Sequence, residues 1–142
     1  MDLVDPRGLR FAAWLTTVVL AIVLITGSAW LLLVQTVVFA LGAFLGLRAA
    51  PYGQLFRVTL ARRLGPPAER EPAAPPRFAQ GVGFGFAAVG TAAFFAGLDW
   101  LGLVATALAL AAAFLNAAFG FCLGCQLYLL IRRITTPKGV TA

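Results

Sequence analysis

The sequence predicts an all-α membrane protein: four transmembrane helices in two hairpins, with both termini in the cytoplasm. Three observations predict it. Hydrophobic residues fill 61% of the 142 positions and charged residues only 11%, where soluble domains carry about 25%. The apolar runs reach or exceed the roughly 20 residues that a spanning helix needs. Every Lys and Arg falls on one side of the topology that these runs imply.

The first run extends from Phe11 to Leu47 without a charge. One helix of that length would measure about 55 Å at about 1.5 Å per residue. Gly27-Ser28 near its middle therefore reads as a turn between spans near residues 9–27 and 30–48. The segment before it is weakly basic (Arg7 and Arg10 against Asp2 and Asp5), and no small-residue site leads into a polar chain, which argues against a cleaved signal peptide. Ala49-Ala50-Pro51-Tyr52-Gly53 is expected to stop the second helix. Gln54 to Leu64 is expected to lie on the membrane surface or to be irregular, because Arg57, Arg62 and Arg63 point in three directions. Residues 65–76 hold five of the eight prolines and read as a solvated cytoplasmic linker. The third span is placed near 79–98. The fourth is placed near 101–131, long enough to tilt or to run past the membrane surface.

Orientation follows from charge. Arg7 and Arg10 precede the first span, and Arg48, Arg57, Arg62, Arg63, Arg70 and Arg77 lie between the second and third. Arg132, Arg133 and Lys138 follow the fourth. The connections at Gly27-Ser28 and Asp99-Trp100 carry no basic residue, so the termini and the long middle segment are cytoplasmic. The net charge of +6 is a positive-inside signature that also suits anionic lipid head groups. No basic stripe interleaved with exposed aromatics points to nucleic acid.

Gly42/Gly46, Gly81/Gly85 and Gly120/Gly124 form small-xxx-small pairs, which pack helices tightly within a bundle or across a homo-oligomer interface. A short repeat is also visible. Arg10-Phe11-Ala12 opens the first hairpin and Arg77-Phe78-Ala79 opens the second, giving a parallel duplication.

Chemistry is sparse. The chain has no His, one Met and five acidic residues, so general acid/base work and most metal sites lack their usual side chains. The candidate reactive residues are Cys122 and Cys125. On one continuous helix they share a face with Gln126, their Cα atoms about 5–6 Å apart, in the cytoplasmic leaflet. Three roles stay open: apolar packing, a pair cycling between dithiol and disulfide or carrying a persulfide sulfur, and binding of a soft ion such as Cu(I) or Hg(II). Structural zinc wants four ligands and would require a dimer, and no metal site or cofactor is assigned. Asn116 and Gln126 flank the thiols and are the candidate substrate-binding residues, where interhelical hydrogen bonding is the plainer role for an amide. Cys125, a turn nearer the cytoplasm and beside Gly124, is expected to be the more accessible thiol and to meet a partner first.

The segment Asn116-Ala-Ala-Phe-Gly-Phe-Cys122-Leu-Gly-Cys125-Gln126-Leu-Tyr128, with Asp5-Pro6-Arg7, Arg10-Phe11, Pro51-Tyr52 and Arg77-Phe78-Ala79-Gln80, resembles the bacterial membrane family catalogued as domain-of-unknown-function family 4395. The resemblance covers nearly the whole chain. It implies a small four-helix protein of the bacterial cytoplasmic (inner) membrane. It also implies proximity to rhodanese-type sulfurtransferases or thioredoxin-like proteins, but no established activity. The architecture is similar to that of quinone-coupled disulfide-forming enzymes, which carry a second cysteine pair that this chain lacks. The expected function is a membrane thiol-redox or sulfur-relay component. The alternative is a non-catalytic membrane subunit or small permease, including one for soft metals or small sulfur compounds.

Overall fold

A computed structural model describes residues 3–136, and Lys138, used above for orientation, lies outside them. The first two helices start behind side-chain caps. Helix α1 (Pro6–Thr26) begins behind Asp5, whose carboxylate accepts the Arg7 N–H at 2.9 Å, with Pro6 in the first turn where its missing N–H costs nothing. Gly27 ends α1 in the left-handed region. Ser28 then caps α2 (Ala29–Ala40) by accepting the Leu31 N–H at 3.2 Å. Helix α2 runs on through a π turn over Leu41–Leu45, and Gly46 stops it with φ at 101°.

The middle segment is more ordered than its composition suggests. Pro51 opens helix α3 (Pro51–Val58) rather than merely closing the helix before it, because proline suits a first turn. A short helix α4 (Leu60–Leu64) follows. The expected linker over 65–76 ends early, since Pro75 and Pro76 lie in the first turn of α5 (Ala74–Phe95). Within it, strand β2 (Glu71–Pro72) pairs antiparallel with strand β1 (Leu3–Val4), tying the start of the described chain to the linker.

Helix α6 (Asp99–Phe119) and helix α7 (Leu123–Thr135) follow. These two replace the single helix expected over 101–131. Gly120 takes the left-handed conformation and breaks it, and the apolar composition on both sides had hidden the stop. The described residues are thus helical apart from one two-stranded pairing and the connecting turns. Helices α1, α5 and α6 are long and apolar enough to cross a membrane, and Ala29–Leu45 is a shorter apolar helix.

Helix α1 packs chiefly along α6, α2 along α5, and α5 along α6, with a lesser α1–α2 contact. Leu20, Val23, Leu32, Phe39, Ala87 and Ala109 form the core where these helices meet. Glycine permits the closest approaches. A Cβ at Gly83 would stand 2.7 Å from the Phe39 ring, and one at Gly102 would stand 2.8 Å from the Phe94 ring. Within the chain, the three Gly-xxx-Gly pairs do not pack as pairs. Gly46 and Gly120 end helices, and a Cβ at Gly85 would meet open space. Polar groups bridge helices as well: the Thr36 and Thr91 hydroxyls meet at 3.1 Å, and Tyr52 donates its O–H to the fully buried Gln35 at 2.7 Å.

The Arg-Phe-Ala repeat has matching contacts in the two halves. Arg10 on α1 donates to the carbonyls of Ala117 and Ala118 at the end of α6, and Arg77 on α5 donates to those of Ala43 and Phe44 at the end of α2. The Phe11 ring meets Phe56 of α3 at 5.7 Å, and the Phe78 ring meets Tyr128 of α7 at 5.7 Å. Each hairpin's first helix therefore closes the other hairpin's second helix and carries a short amphipathic helix. These contacts, with the Arg7 bond to the Gly65 carbonyl, gather the arginines at one end. Trp30 and Phe95 stack edge-on at 5.2 Å between the two charge-poor turns at the other.

Candidate functional site

The site is built at the break between α6 and α7. Gly120 donates its N–H to the Asn116 carbonyl at 3.0 Å, and Phe121 donates to Leu115 at 3.2 Å. These bonds satisfy part of the carbonyl set that any helix end leaves open. Arg10 takes the next two carbonyls with its Nη2, at 3.0 Å to Ala117 and 3.4 Å to Ala118. A guanidinium at a helix C-terminus also offsets the partial negative charge gathered there.

The chain then turns through Phe121 into Cys122, which is extended (φ −88°, ψ 105°) and is the cap residue of α7. Its Sγ accepts the Cys125 N–H at 3.1 Å, and its carbonyl accepts the Gln126 N–H at 3.0 Å. Cys122 and Cys125 form a disulfide, with Cα atoms 5.2 Å apart, and both are half-buried. The separation is the one expected, but its setting is different. The pair does not ride on the face of a long spanning helix. It sits past the end of α6, with one sulfur outside α7 and the other in its first turn. Cys125 is expected to lead only on a continuous helix, and the break at Gly120 removes that condition.

Helix α5 holds the pair in place. A Cβ at Gly124 would lie 2.6 Å from both Cα and Cβ of Ala79, so the loop between the sulfurs presses directly on the α5 backbone. One turn on, the Phe78 and Tyr128 rings extend the contact, and Arg132 reaches the Tyr128 hydroxyl at 3.3 Å. The sequence-based expectation of a close approach at the Gly120/Gly124 face holds for Gly124 alone.

Asn116 and Gln126 are not brought together. Asn116 is half-buried in the last turn of α6 and Gln126 is exposed in the first turn of α7. Among the described residues, their side chains form no hydrogen bond to each other or to the cysteines. The described residues contain no group of three or more His, Cys, Asp or Glu side chains that converges on one point. The donors the site offers a soft metal are its two sulfurs. Arg10 is a neighbour of the cysteine pair's helix break that the sequence did not assign to the site, where it served as a topological charge and as part of a repeat. Its signal was the shared Arg-Phe-Ala triplet at 10–12 and 77–79.

The family described as domain of unknown function (DUF4395) matches residues 4–133, from β1 into the last turn of α7. The chain belongs to this family. Neither the comparison with curated proteins nor that with solved structures gave a match. The DUF4395 match spans both halves of the fold and includes Arg10, Arg77, Cys122 and Cys125.

Proposed function

We propose that this DUF4395 protein is a thiol-redox or sulfur-relay component of the bacterial cytoplasmic membrane, with Cys122 and Cys125 as its reactive pair. Helices α1, α5 and α6 and the Ala29–Leu45 helix cross the bilayer, and the arginine-rich end faces the cytoplasm. Support for this orientation comes from the arginines gathered at one end and the two charge-poor turns at the other.

The observation that carries the reading is Cys122 Sγ in the cap position of α7, accepting the Cys125 N–H at 3.1 Å. The start of a helix favours a thiolate over a thiol, and the thiolate is the nucleophile. Cys122 therefore leads and Cys125 resolves, the reverse of the order a continuous helix would give. In the redox form, the Cys122 thiolate attacks a partner disulfide and forms a mixed disulfide while one partner thiolate leaves. The Cys125 thiolate then displaces the second partner sulfur. Two electrons and two protons pass to the partner, which ends as a dithiol. In the sulfur form, the Cys122 thiolate takes the outer sulfur of a partner persulfide and the partner thiolate leaves. The partner is a soluble thioredoxin-like or rhodanese-type protein.

Trapping of the mixed disulfide in native membranes tests the assignment. The Cys125→Ser protein, with its leading thiol intact, is expected to hold a partner covalently, and the Cys122→Ser protein is not. Trapping by Cys122→Ser alone would reverse the order. A pair that stays reduced under both oxidant and thiosulfate, with neither variant trapping anything, would refute the function.

A further inference from the structure

A second site lies in the first half of the fold, away from the cysteines. The start of α1, helices α3 and α4 and the linker enclose a cavity of about 660 Å³. Its wall is apolar along Leu9, Ala12, Leu47 and the buried Phe56. Its polar lining is mainly cationic, with Arg48 before α3, Arg57 in α3, Arg70 in the linker, and Arg7, beside Gln80 and Asp5. The one carboxylate in the wall, Asp5, is already held by Arg7 at 2.8 Å, and Arg7 spends another N–H on the Gly65 carbonyl. Arg48, Arg57 and Arg70 have no carboxylate partner among the described residues, and Arg57 spends one N–H on the Arg48 carbonyl at 2.8 Å. Three uncompensated guanidinium groups thus stand over an apolar pocket at the cytoplasmic end of the bundle.

We propose that this cavity binds an anionic phospholipid, its phosphate held by Arg48, Arg57 and Arg70 and its acyl chain against Leu9, Leu47 and Phe56. Guanidinium groups match phosphate oxygens in geometry as well as charge. Basic pockets on the cytoplasmic side of a helix bundle are well suited to lipid head groups. Size selects an amphiphile over a free ion: the cavity falls in the range of about 300–1,000 Å³ that takes whole organic ligands. An inorganic anion would leave the apolar wall unused. The proposal rests on the membrane location given above but not on the cysteine chemistry, and a Cys122→Ser/Cys125→Ser protein is expected to bind the lipid unchanged.

The test is native mass spectrometry of the full chain in neutral detergent, titrated with phosphatidylglycerol, phosphatidylcholine and inorganic phosphate. Phosphatidylglycerol is expected to bind at least about tenfold more tightly than either, the scale of one charge-assisted hydrogen bond. The Arg48→Ala/Arg57→Ala/Arg70→Ala protein is expected to lose that preference. Arg62→Ala/Arg63→Ala/Arg133→Ala, with the same change in charge at arginines outside the cavity wall, is expected to keep it. Arg70→Glu alone, at a side chain without a hydrogen bond among the described residues, supplies a variant with little risk to folding and is expected to weaken binding as well. Equal binding of phosphatidylcholine, competition by phosphate alone, or equal loss in the control triple variant would each overturn the proposal.

Discussion

Gly124 gives the sharpest test of how the cysteine pair is held, because the packing and propensity arguments predict opposite signs. If Gly124 were only a flexible residue in the first turn of α7, Gly124→Ala would stabilise the protein by about 0.4–1 kcal/mol through loss of unfolded-state freedom. The structure predicts the reverse. The new Cβ would stand 2.6 Å from Cα and Cβ of Ala79, whereas carbon atoms pack best at about 3.5–4.0 Å. Helices α5 and α7 must part by about 1 Å, and the obstacle is partly backbone, which cannot rotate aside. Overpacking of this kind costs about 1–3 kcal/mol. Set against the propensity gain, a net loss of about 1 kcal/mol remains for Ala at the middle of both ranges, and Gly124→Val should lose more. Equilibrium unfolding of the full chain in mixed micelles measures the loss. Alkylation of the reduced protein provides a second readout, since parting α7 from α5 exposes both thiols. Adding Ala79→Gly to Gly124→Ala removes one of the two contacts and should recover part of the stability. A Gly124→Ala protein as stable as the parent, or more so, would refute the packing argument and leave the position of the cysteine pair without its anchor.

Two further outcomes are expected. Arg10→Ala strips donors from the carbonyls of Ala117 and Ala118 and should cost about 1 kcal/mol, a typical net value for an intramolecular hydrogen bond. It should also speed amide exchange at Gly120 and Phe121, whose N–H groups close the end of α6, whereas Arg77→Ala, acting at the end of α2, should leave those amides unchanged; equal effects of the two variants would contradict the assignment. Tyr52→Phe removes the partner of the buried Gln35 carbonyl oxygen and should cost about 1–3 kcal/mol, the penalty for an orphaned buried group. Burial raises the Tyr52 ionisation above its ordinary value near 10. Because the folded value exceeds the unfolded one, this contribution is complete below pH 10 and is lost as pH rises through the folded value. The alkaline loss of stability should therefore shrink in Tyr52→Phe, and an unchanged alkaline profile would count against it.

The sequence made the helices legible and left their ends obscure, for a physical reason. Apolar composition reports the solvent a segment meets, so Phe11 to Leu47 and Gln80 to Leu98 could be read directly. It says little about where backbone hydrogen bonding stops within apolar surroundings. The first turn was found because Gly27 is followed by the capping Ser28, two stop signals in succession. Gly120 had no polar neighbour, and the apolar residues at 121–131 made the helix look continuous. The cost of that reading was the local chemistry of Cys122, which a helix cap changes entirely. The cavity was equally hidden, because Leu9, Arg48, Phe56 and Arg70 come from four separate stretches of the chain, brought together by the packing of α3 on α1 and by the β1–β2 pairing that ties down the linker.

The matching contacts of the two halves suggest why the fold can carry two different sites. In each half an arginine on the first helix closes a helix end, and an aromatic residue one position later seats a short amphipathic helix. Counted back from the seated rings Phe56 and Tyr128, Ala50 and Gly53 occupy the positions that Cys122 and Cys125 take in the second half. Ala50 and Gly53 line the arginine-rimmed cavity, where small side chains leave room for a ligand. In the second half the same positions carry sulfur, and Gly124 brings them hard against α5. One supporting frame thus presents a roomy cationic pocket on one side and a compact disulfide on the other.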